Sequence, residues 1–141
     1  MRTKVRVKTS KGRKISSTRW LQRQLNDPYR KAALMQGLRA RSAFKLLDID
    51  QKFDLLGQAM NVLDLGAAPG SWLQILKLKC PAKAQIIGLD LLPVDDLPGI
   101  MLIEGDFLDP EMTTHLQTLT PGQFDLITCD MAANSTGHAN T

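Results

Sequence analysis

An apolar run at residues 61–63 leads directly into a glycine-containing segment, residues 64–72, which reads DLGAAPGSW, and this junction restricts the fold more than any other part of the chain. Gly66 can adopt the positive φ that a tight turn requires, and Gly70 lets the backbone approach a ligand at the start of a following helix. A buried strand, a glycine loop and a helix in this order are typical of a doubly wound α/β sheet. The junction therefore predicts a parallel sheet whose loop binds a nucleotide-type cofactor.

Three acids, Asp64, Asp90 and Asp106, each stand at the end of an apolar run. Because ligands of open α/β sheets bind outside the carboxyl ends of the strands, we expect these carboxylates along one edge of the sheet. Asp90 follows Gly70 by 20 residues, the spacing at which an acid accepts hydrogen bonds from ribose hydroxyls. A single Asp-x-Gly after a strand is often only a turn, but the repetition at three strand ends favours a binding site.

The chemistry of the loop favours a cationic ligand over a phosphate. Asp64 places a negative charge where a phosphate-binding loop would avoid one, and this charge suits the amino group of a ligand such as S-adenosylmethionine. Ala68 and Pro69 also interrupt the Gly-x-Gly-x-x-Gly pattern, so a nicotinamide dinucleotide is the weaker interpretation.

Composition shifts divide the chain into three segments. Residues 1–17 are predicted to be a basic, disordered arm, residues 18–57 to form N-terminal helices, and residues 58–141 to form the first part of the α/β domain. Hydrophobic periodicity predicts helices over 18–35, 42–53, 70–79 and 110–119, and strands over 61–65, 85–89, 100–104 and 124–129. We expect the second helix to direct Phe44, Leu47 and Phe53 toward the core. Alternation of strands and helices predicts right-handed parallel crossovers.

Basic residues are concentrated at the start of the chain. Fourteen of the 18 lysines and arginines lie at or before Lys45, where the only acid is Asp27, and the other 13 of the 14 acids follow. A basic N-terminal segment followed by an acidic remainder is typical of a protein with a polyanionic partner, for which nucleic acid is the natural candidate. A solvated tail and a mitochondrial transit peptide are the alternatives. The residues expected to contact RNA are Lys14, Arg19, Arg23, Arg39 and Arg41.

Length and composition exclude several other classes. A chain of 141 residues that is 43% hydrophobic suffices for one domain with a core, and no apolar stretch approaches the roughly 20 residues that span a bilayer. Cys80 and Cys129 are isolated from each other and from His115 and His138, so we expect neither a metal site nor a disulfide framework. We expect a cytoplasmic monomer with reduced thiols, the mitochondrial matrix being the weaker alternative.

Five motifs in order resemble the FtsJ/RlmE family of ribosomal RNA 2′-O-methyltransferases. They are SAFKL at 42–46, DLGAAPGSW at 64–72, DLLP at 90–93, GDF at 105–107 and DMAAN at 130–134. The match runs from about Ser17 to the last residue. The resemblance implies a Rossmann-like, S-adenosylmethionine-dependent methyltransferase fold, and its nearest member type methylates a uridine 2′-hydroxyl in 23S ribosomal RNA.

The resemblance also implies roles for individual residues of the cofactor site. Gly70 and Trp72 would contact the methionine half of S-adenosylmethionine, Asp90 would hold the ribose, and Asp106 would lie on the adenine side. The implied cofactor-binding residues are Asp64, Gly66, Pro69, Gly70, Trp72, Asp90, Leu91, Asp106, Phe107 and Asp130.

Lys45 and Asp130 match the first two members of the family's Lys-Asp-Lys-Glu catalytic set. A ribose hydroxyl is a weak acid, so methyl transfer benefits from a lysine whose pKa is lowered by burial or by cationic neighbours and which can act as a base. Each assignment has a structural alternative. Lys45 would otherwise be a solvent-facing lysine on an amphipathic helix, Trp72 a core residue, and Asp130 a cap for the loop after it.

The chain departs from the family pattern in three respects. Ala133 replaces a proline of the DMAPN motif, and Ser71 replaces a common glycine before Trp72. The family's second lysine and its glutamate lie on later strands, whereas only about four strands precede Thr141. An incomplete sheet leaves an unpaired edge, so we expect this chain to be a fragment that binds the cofactor and is inactive by itself.

Two other functions are compatible with the sequence. One is a non-catalytic RNA-binding module, in which the basic arm docks on ribosomal RNA and the α/β body is structural. The other is a 2′-O-methyltransferase that acts on transfer RNA or on a messenger cap, because such enzymes share the fold and the catalytic set. Only the enzymes require affinity for S-adenosylmethionine.

Overall fold

The computed structural model describes residues 27–120 and 122–130. Outside these ranges lie the predicted basic arm, the first part of the helix predicted from residue 18, Lys14, Arg19, Arg23, His138 and the loop after Asp130 that contains Ala133.

A four-stranded parallel sheet forms the centre of the described chain. Its strands are β1 (Asn61–Leu65), β2 (Gln85–Asp90), β3 (Met101–Glu104) and β4 (Leu126–Cys129), in the spatial order β3-β2-β1-β4. The prediction of a parallel α/β sheet is confirmed. The strand order reverses between β1 and β4, and a crevice at such a reversal is where open α/β sheets bind ligands.

The last strand begins two residues later than predicted, at Leu126 instead of Phe124. The preceding residue, Asp125, is hydrogen-bonded through its side chain to the start of β1. Its carboxylate accepts hydrogen bonds from the backbone N–H groups of Met60 and Asn61, at 2.9 and 3.0 Å. This contact fixes the amino ends of β1 and β4 side by side.

Within the described residues, the helices that accompany the sheet are α1 (Pro28–Met35), α2 (Ala43–Phe53), α3 (Ser71–Lys79) and α4 (Pro110–Leu119). The prediction of a helix that runs unbroken through residue 27 was wrong. Asp27 has extended backbone, and its carboxylate accepts from the N–H groups of Tyr29 and Arg30, so it caps a helix that begins at Pro28. None of the helices in residues 27–120 and 122–130 is long and apolar enough to cross a membrane.

The buried face of α2 agrees only in part with the predicted one, since Leu47 packs against the core as predicted. Ala43 and Leu46 are buried, whereas Phe53 is 62% exposed. Phe53 is the last residue of the helix, and the left-handed conformation of Asp54 ends the helix there. The chain then turns back to bury Leu56, so the ring of Phe53 lies beyond the packed face and Lys52 covers it.

Side chains of the sheet alternate between two apolar layers. Val62 packs with α2 and α3 on one face, whereas Leu63 and Leu65 pack with Leu116 of α4 on the other. Because successive strand residues point to opposite faces, Asp64 shares the face of Val62. The strand therefore directs one carboxylate toward α2 and α3, at the end of the sheet where the glycine loop begins.

We expect Gly88→Ala to destabilise the fold, because the added Cβ would lie 2.6 Å from Leu73 Cδ1 and 3.2 Å from Ala67 Cβ. Overpacking of this kind costs about 1–3 kcal/mol in the free energy of unfolding. Urea denaturation measures the loss, and Gly57→Ala is the control because a Cβ at Gly57 meets nothing within 4 Å. Equal stability of the two variants would contradict the packing described for β2.

Candidate cofactor-binding site

A cleft opens at the carboxyl ends of the strands and has two parts that share Gly66. The larger part has an empty volume of about 630 Å³ and lies over β2 and β3. The smaller part has about 260 Å³ and lies between the glycine loop, the start of α2 and the end of β4. The larger part is lined by Leu65, Gly66, Leu89, Asp90, Leu91, Gly105, Asp106, Phe107 and Leu108. The smaller part is lined by Ser42, Asp64, Gly66, Ala67, Ala68, Ser71, Trp72 and Asp130.

The loop between β1 and α3 has a positive φ at both of its glycines, and that of Gly66 was predicted from the sequence. Gly66 has a φ of 67° and Gly70 a φ of 111°, both in the region that favours glycine. Gly66 lines both parts of the cleft, but Pro69 and Gly70 line neither. A Cβ on Gly70 would lie 2.6 Å from Arg39 Nη1, so the close approach at this glycine is made by an arginine of the chain itself.

Asp64 is buried, with only 2% of its surface exposed. Its Oδ1 accepts a hydrogen bond from Thr128 Oγ1 at 2.8 Å, and among the described residues its Oδ2 has no partner. The pKa of Asp64 is raised to about 7, chiefly by burial; the Thr128 hydrogen bond lowers it, and the nearby Asp130 and Asp90 contribute to the rise. An unsatisfied buried carboxylate oxygen is costly, and a cationic N–H donor in the cleft would relieve that cost.

The raised pKa of Asp64 makes stability depend on pH. The folded protein holds this proton more tightly than the unfolded chain, so the stabilisation is complete below pH 4 and is lost as pH rises to about 7. Between these limits we expect a loss of up to about 1.4 kcal/mol per pH unit. Asp64→Asn should therefore be more stable than the wild type at pH 8, and this advantage should shrink steadily as the pH falls to about 4, as measured by urea unfolding. A stability difference that does not change with pH would contradict the assignment.

Asp90 connects the end of β2 to the glycine loop. Its Oδ2 accepts from the N–H of Ala68 at 2.8 Å, and its Oδ1 accepts from the N–H of Leu92 at 2.9 Å. Each carboxylate oxygen has a second lone pair, so Asp90 can also accept from hydroxyls of a ligand in the larger part of the cleft. The sequence-predicted acid is therefore both a loop anchor and a candidate ligand-binding group.

The far wall of the larger part is apolar and exposed. Leu91, Phe107 and Leu108 are large hydrophobic side chains that remain open to solvent along the cleft. Asp106 accepts from the N–H of Leu108 at 2.9 Å, which shapes the turn that presents Phe107. An apolar slot with a carboxylate at each end suits a flat heteroaromatic ring joined to a hydroxylated sugar.

Lys45 and Asp130 meet at the mouth of the smaller part. Lys45 Nζ donates to Asp130 Oδ1 at 3.0 Å, which joins the first turn of α2 to the end of β4. Although the side chain of Lys45 is 63% exposed, it is paired with an acid that lines the cleft. The described residues therefore do not bury Lys45, although burial was one of the two environments expected to favour its role as a base.

Trp72 packs in the core beside α2 and also lines the smaller part of the cleft, which is compatible with both of the roles considered for it. Its Nε1 donates to the carbonyl of Ser42 at 2.8 Å, while the hydroxyls of Ser42 and Ser71 lie 2.7 Å apart. These contacts hold the start of α2 against the start of α3.

The family profile of the FtsJ-like methyltransferases matches residues 38–141 of the chain. The chain belongs to this family. The match includes the glycine loop, the four strands of the described residues and the Lys45–Asp130 pair, so it covers every residue that lines the cleft.

Curated relatives in the FtsJ-like family match nearly the whole chain. The ribosomal RNA large subunit methyltransferase E of Gluconobacter oxydans is 53% identical over 137 residues, which are 97% of this chain and 50% of the relative. The protein of the same name from Granulibacter bethesdensis is 51% identical over 97% of this chain and 59% of its own length. The chain thus spans about half the length of the curated relatives it matches.

A solved structure has the same fold. A Plasmodium falciparum protein described as a ribosomal RNA methyltransferase superposes with a TM-score of 0.62 at 27% identity, covering 70% of this chain and 59% of its own. The Rossmann-like fold expected from the motifs is therefore confirmed.

Two of the arginines that were expected to contact RNA, Arg39 and Arg41, have partners among the described residues. The Arg39 guanidinium donates to the carbonyls of Pro69, Asp95 and Asp96, and Arg41 forms an ion pair with Asp27. Their prediction as RNA contacts stays a prediction, but Arg39 has a structural role in the described site.

Sequence reasoning missed several residues of the site, namely Arg39, Ser42, Ser71 and Thr128. Thr128 had a readable signal, because it is a polar residue in an otherwise apolar strand, as Asp64 is in β1. The sheet register places Asp64 opposite Thr128. No comparable signal exists for Arg39, whose contacts lie 30 to 57 residues away along the chain.

Proposed function

We propose that this chain binds S-adenosylmethionine and is part of a protein that methylates the 2′-hydroxyl of a uridine in 23S ribosomal RNA. The observation that carries the proposal is the buried Asp64 carboxylate, whose Oδ2 lacks a partner among the described residues beside the glycine loop of a methyltransferase-family chain. The match to relatives named ribosomal RNA large subunit methyltransferase E supports the choice of RNA.

The hydrogen-bond acceptors and the apolar wall of the cleft suit the three parts of S-adenosylmethionine. Asp64 would accept from the α-ammonium group, which supplies the cationic donor that its buried oxygen lacks. Asp90 would accept from the ribose hydroxyls, and the wall formed by Leu91 and Phe107 would cover the adenine, with Asp106 at its edge. Gly66 would pass beneath the ligand, where both parts of the cleft meet.

Lys45 and Asp130 are placed to handle the proton of the acceptor hydroxyl. When bound, S-adenosylmethionine supplies an electrophilic methyl group on a sulfonium. Lys45, in its neutral form, would take the hydroxyl proton at Nζ as the ribose oxygen bonds to the methyl carbon and the carbon–sulfur bond breaks, leaving its electron pair on sulfur. Asp130, 3.0 Å from Nζ, would stabilise the resulting ammonium. Alignment of oxygen, carbon and sulfur would supply much of the acceleration.

Binding to ribosomal RNA would draw on the positive charge at the start of the chain. Phosphate contacts by residues such as Lys14, Arg19 and Arg23 would make RNA affinity fall steeply with salt. We place the protein in the cytoplasm, because its relatives are bacterial proteins named for action on ribosomal RNA.

The direct test is transfer of tritium from methyl-labelled S-adenosylmethionine to large ribosomal subunits that lack the modification. Both the 141-residue chain and the full product of its reading frame should be assayed, and the labelled RNA digested to nucleosides. We expect labelled 2′-O-methyluridine with the full product. RNA binding without any transfer would favour the non-catalytic module, and label in transfer RNA or in a cap instead would reassign the substrate.

A further inference from the structure

The guanidinium of Arg39 joins two loops, each of which also contributes residues to the lining of the cleft. Nη1 donates to the carbonyl of Pro69 at 3.0 Å and to that of Asp95 at 2.7 Å, and Nη2 donates to the carbonyl of Asp96 at 2.9 Å. Pro69 belongs to the glycine loop after β1, whereas Asp95 and Asp96 belong to the loop between β2 and β3. A planar fork with fixed donor directions can hold three carbonyls of two loops in one geometry.

The backbone that carries Arg39 is itself fixed to α3. The N–H of Arg39 donates to Gln74 Oε1 at 2.8 Å, and Gln74 Nε2 donates to the carbonyl of Gly37 at 3.0 Å. Three residues after Arg39, Ser42 meets both Ser71 and Trp72. The guanidinium therefore extends from a segment that is anchored on both sides, and it acts as a rigid spacer.

The absence of a side chain at Gly70 gives Arg39 its path. A Cβ at this position would lie 2.6 Å from Nη1 and 3.3 Å from Cδ of Arg39. The space that a side chain at Gly70 would fill is occupied by the arginine. Gly70 therefore leaves open the space through which the Arg39 side chain passes.

We propose that Arg39 is a positioning residue for cofactor binding, which sets the separation of the glycine loop from the loop that follows Asp90. The inference rests on the proposed S-adenosylmethionine site. Asp90 and Ala68 lie on the two loops that Arg39 connects and are hydrogen-bonded to each other, so a shift of either loop would displace both of them. Loss of the fork should weaken cofactor binding with little effect on RNA binding.

The test is titration calorimetry with S-adenosylhomocysteine on the wild type, Arg39→Met, Arg39→Lys and the control Arg30→Met. Losing charge-assisted hydrogen bonds to three carbonyls should weaken affinity about ten-fold or more in Arg39→Met. Arg39→Lys keeps the charge but not the fork, so it should rescue only part of the loss. Arg30→Met should bind as the wild type does, because Arg30 is an exposed arginine of α1 that lines neither part of the cleft.

The titration separates positioning from folding, because unfolded protein lowers the measured stoichiometry while a displaced loop raises the dissociation constant. An unchanged dissociation constant with reduced stoichiometry in either Arg39 variant would overturn the inference in favour of a purely structural role. If Arg39→Met does not fold, Arg39→Lys decides. A salt dependence of RNA binding that becomes shallower in Arg39→Met but not in Arg39→Lys, with cofactor affinity intact, would instead make Arg39 an RNA contact, because lysine keeps the charge. No binding to the wild type would refute the proposed function itself.

Discussion

Replacing Lys45 with methionine is expected to lower methyl transfer by the full product of the reading frame about 100-fold or more, the range in which general acid–base groups contribute. Methionine keeps the apolar stem on α2 but removes the amine that lies 3.0 Å from Asp130. Affinity for S-adenosylhomocysteine should stay within about three-fold of the wild type, because Lys45 lines neither part of the cleft. Single-turnover transfer of labelled methyl groups to large ribosomal subunits measures the effect.

Two further variants make the Lys45 result specific. Lys52→Met removes another lysine of α2, one whose Nζ lies over the ring of Phe53, and should retain activity. Lys45→Arg keeps a cation for Asp130 but cannot act as a base, since arginine stays protonated. If Lys45→Arg were as active as the wild type, Lys45 would serve only as an electrostatic partner, and its assignment as a base would be withdrawn.

Asp90→Ala is expected to weaken S-adenosylhomocysteine binding about 100-fold, since two hydrogen bonds to a carboxylate are lost from the loops and the proposed ribose acceptor is removed with them. Asp90 accepts from Ala68 in the glycine loop and from Leu92 in the next loop. Calorimetric titration measures the loss, with methyl transfer at saturating cofactor as a second readout.

The matched control for Asp90 is Asp125→Ala. Asp125 also accepts from two backbone N–H groups, those of Met60 and Asn61, but it does so at the opposite end of β1. The two variants should lose comparable stability, while only Asp90→Ala should lose cofactor affinity. Equal loss of affinity in both would mean that Asp90 acts through general stability and not through the cleft.

Periodicity predicted the sheet well because its strands are short apolar runs that end at acids. The glycine loop after β1 and the acids at Asp90 and Asp106 were placed at the correct edge, since parallel strands share their carboxyl ends. Periodicity was less reliable on α2, where the aromatic ring of Phe53 suggested a core residue. Its place at the last turn, before the left-handed Asp54, exposes it.

Features that depend on strand order could not be predicted from local pattern. The sequence places Asp64 and Asp130 far apart, and only the β3-β2-β1-β4 order brings β4 beside β1 and Thr128 within hydrogen-bond distance of Asp64. Arg39 illustrates a second reason. A long side chain can reach carbonyls of two loops, and nothing in its immediate sequence distinguishes it from an arginine that contacts RNA.

The first measurement should be a calorimetric titration of S-adenosylhomocysteine into the protein, with adenosine as a comparison ligand. We expect one S-adenosylhomocysteine per chain, bound more tightly than adenosine. Only S-adenosylhomocysteine carries the ammonium group from which Asp64 would accept a hydrogen bond. Asp64→Asn should bring the two affinities closer together. No saturable heat with S-adenosylhomocysteine, in protein whose fold is verified by circular dichroism, would contradict the proposed cofactor site and every step built on it.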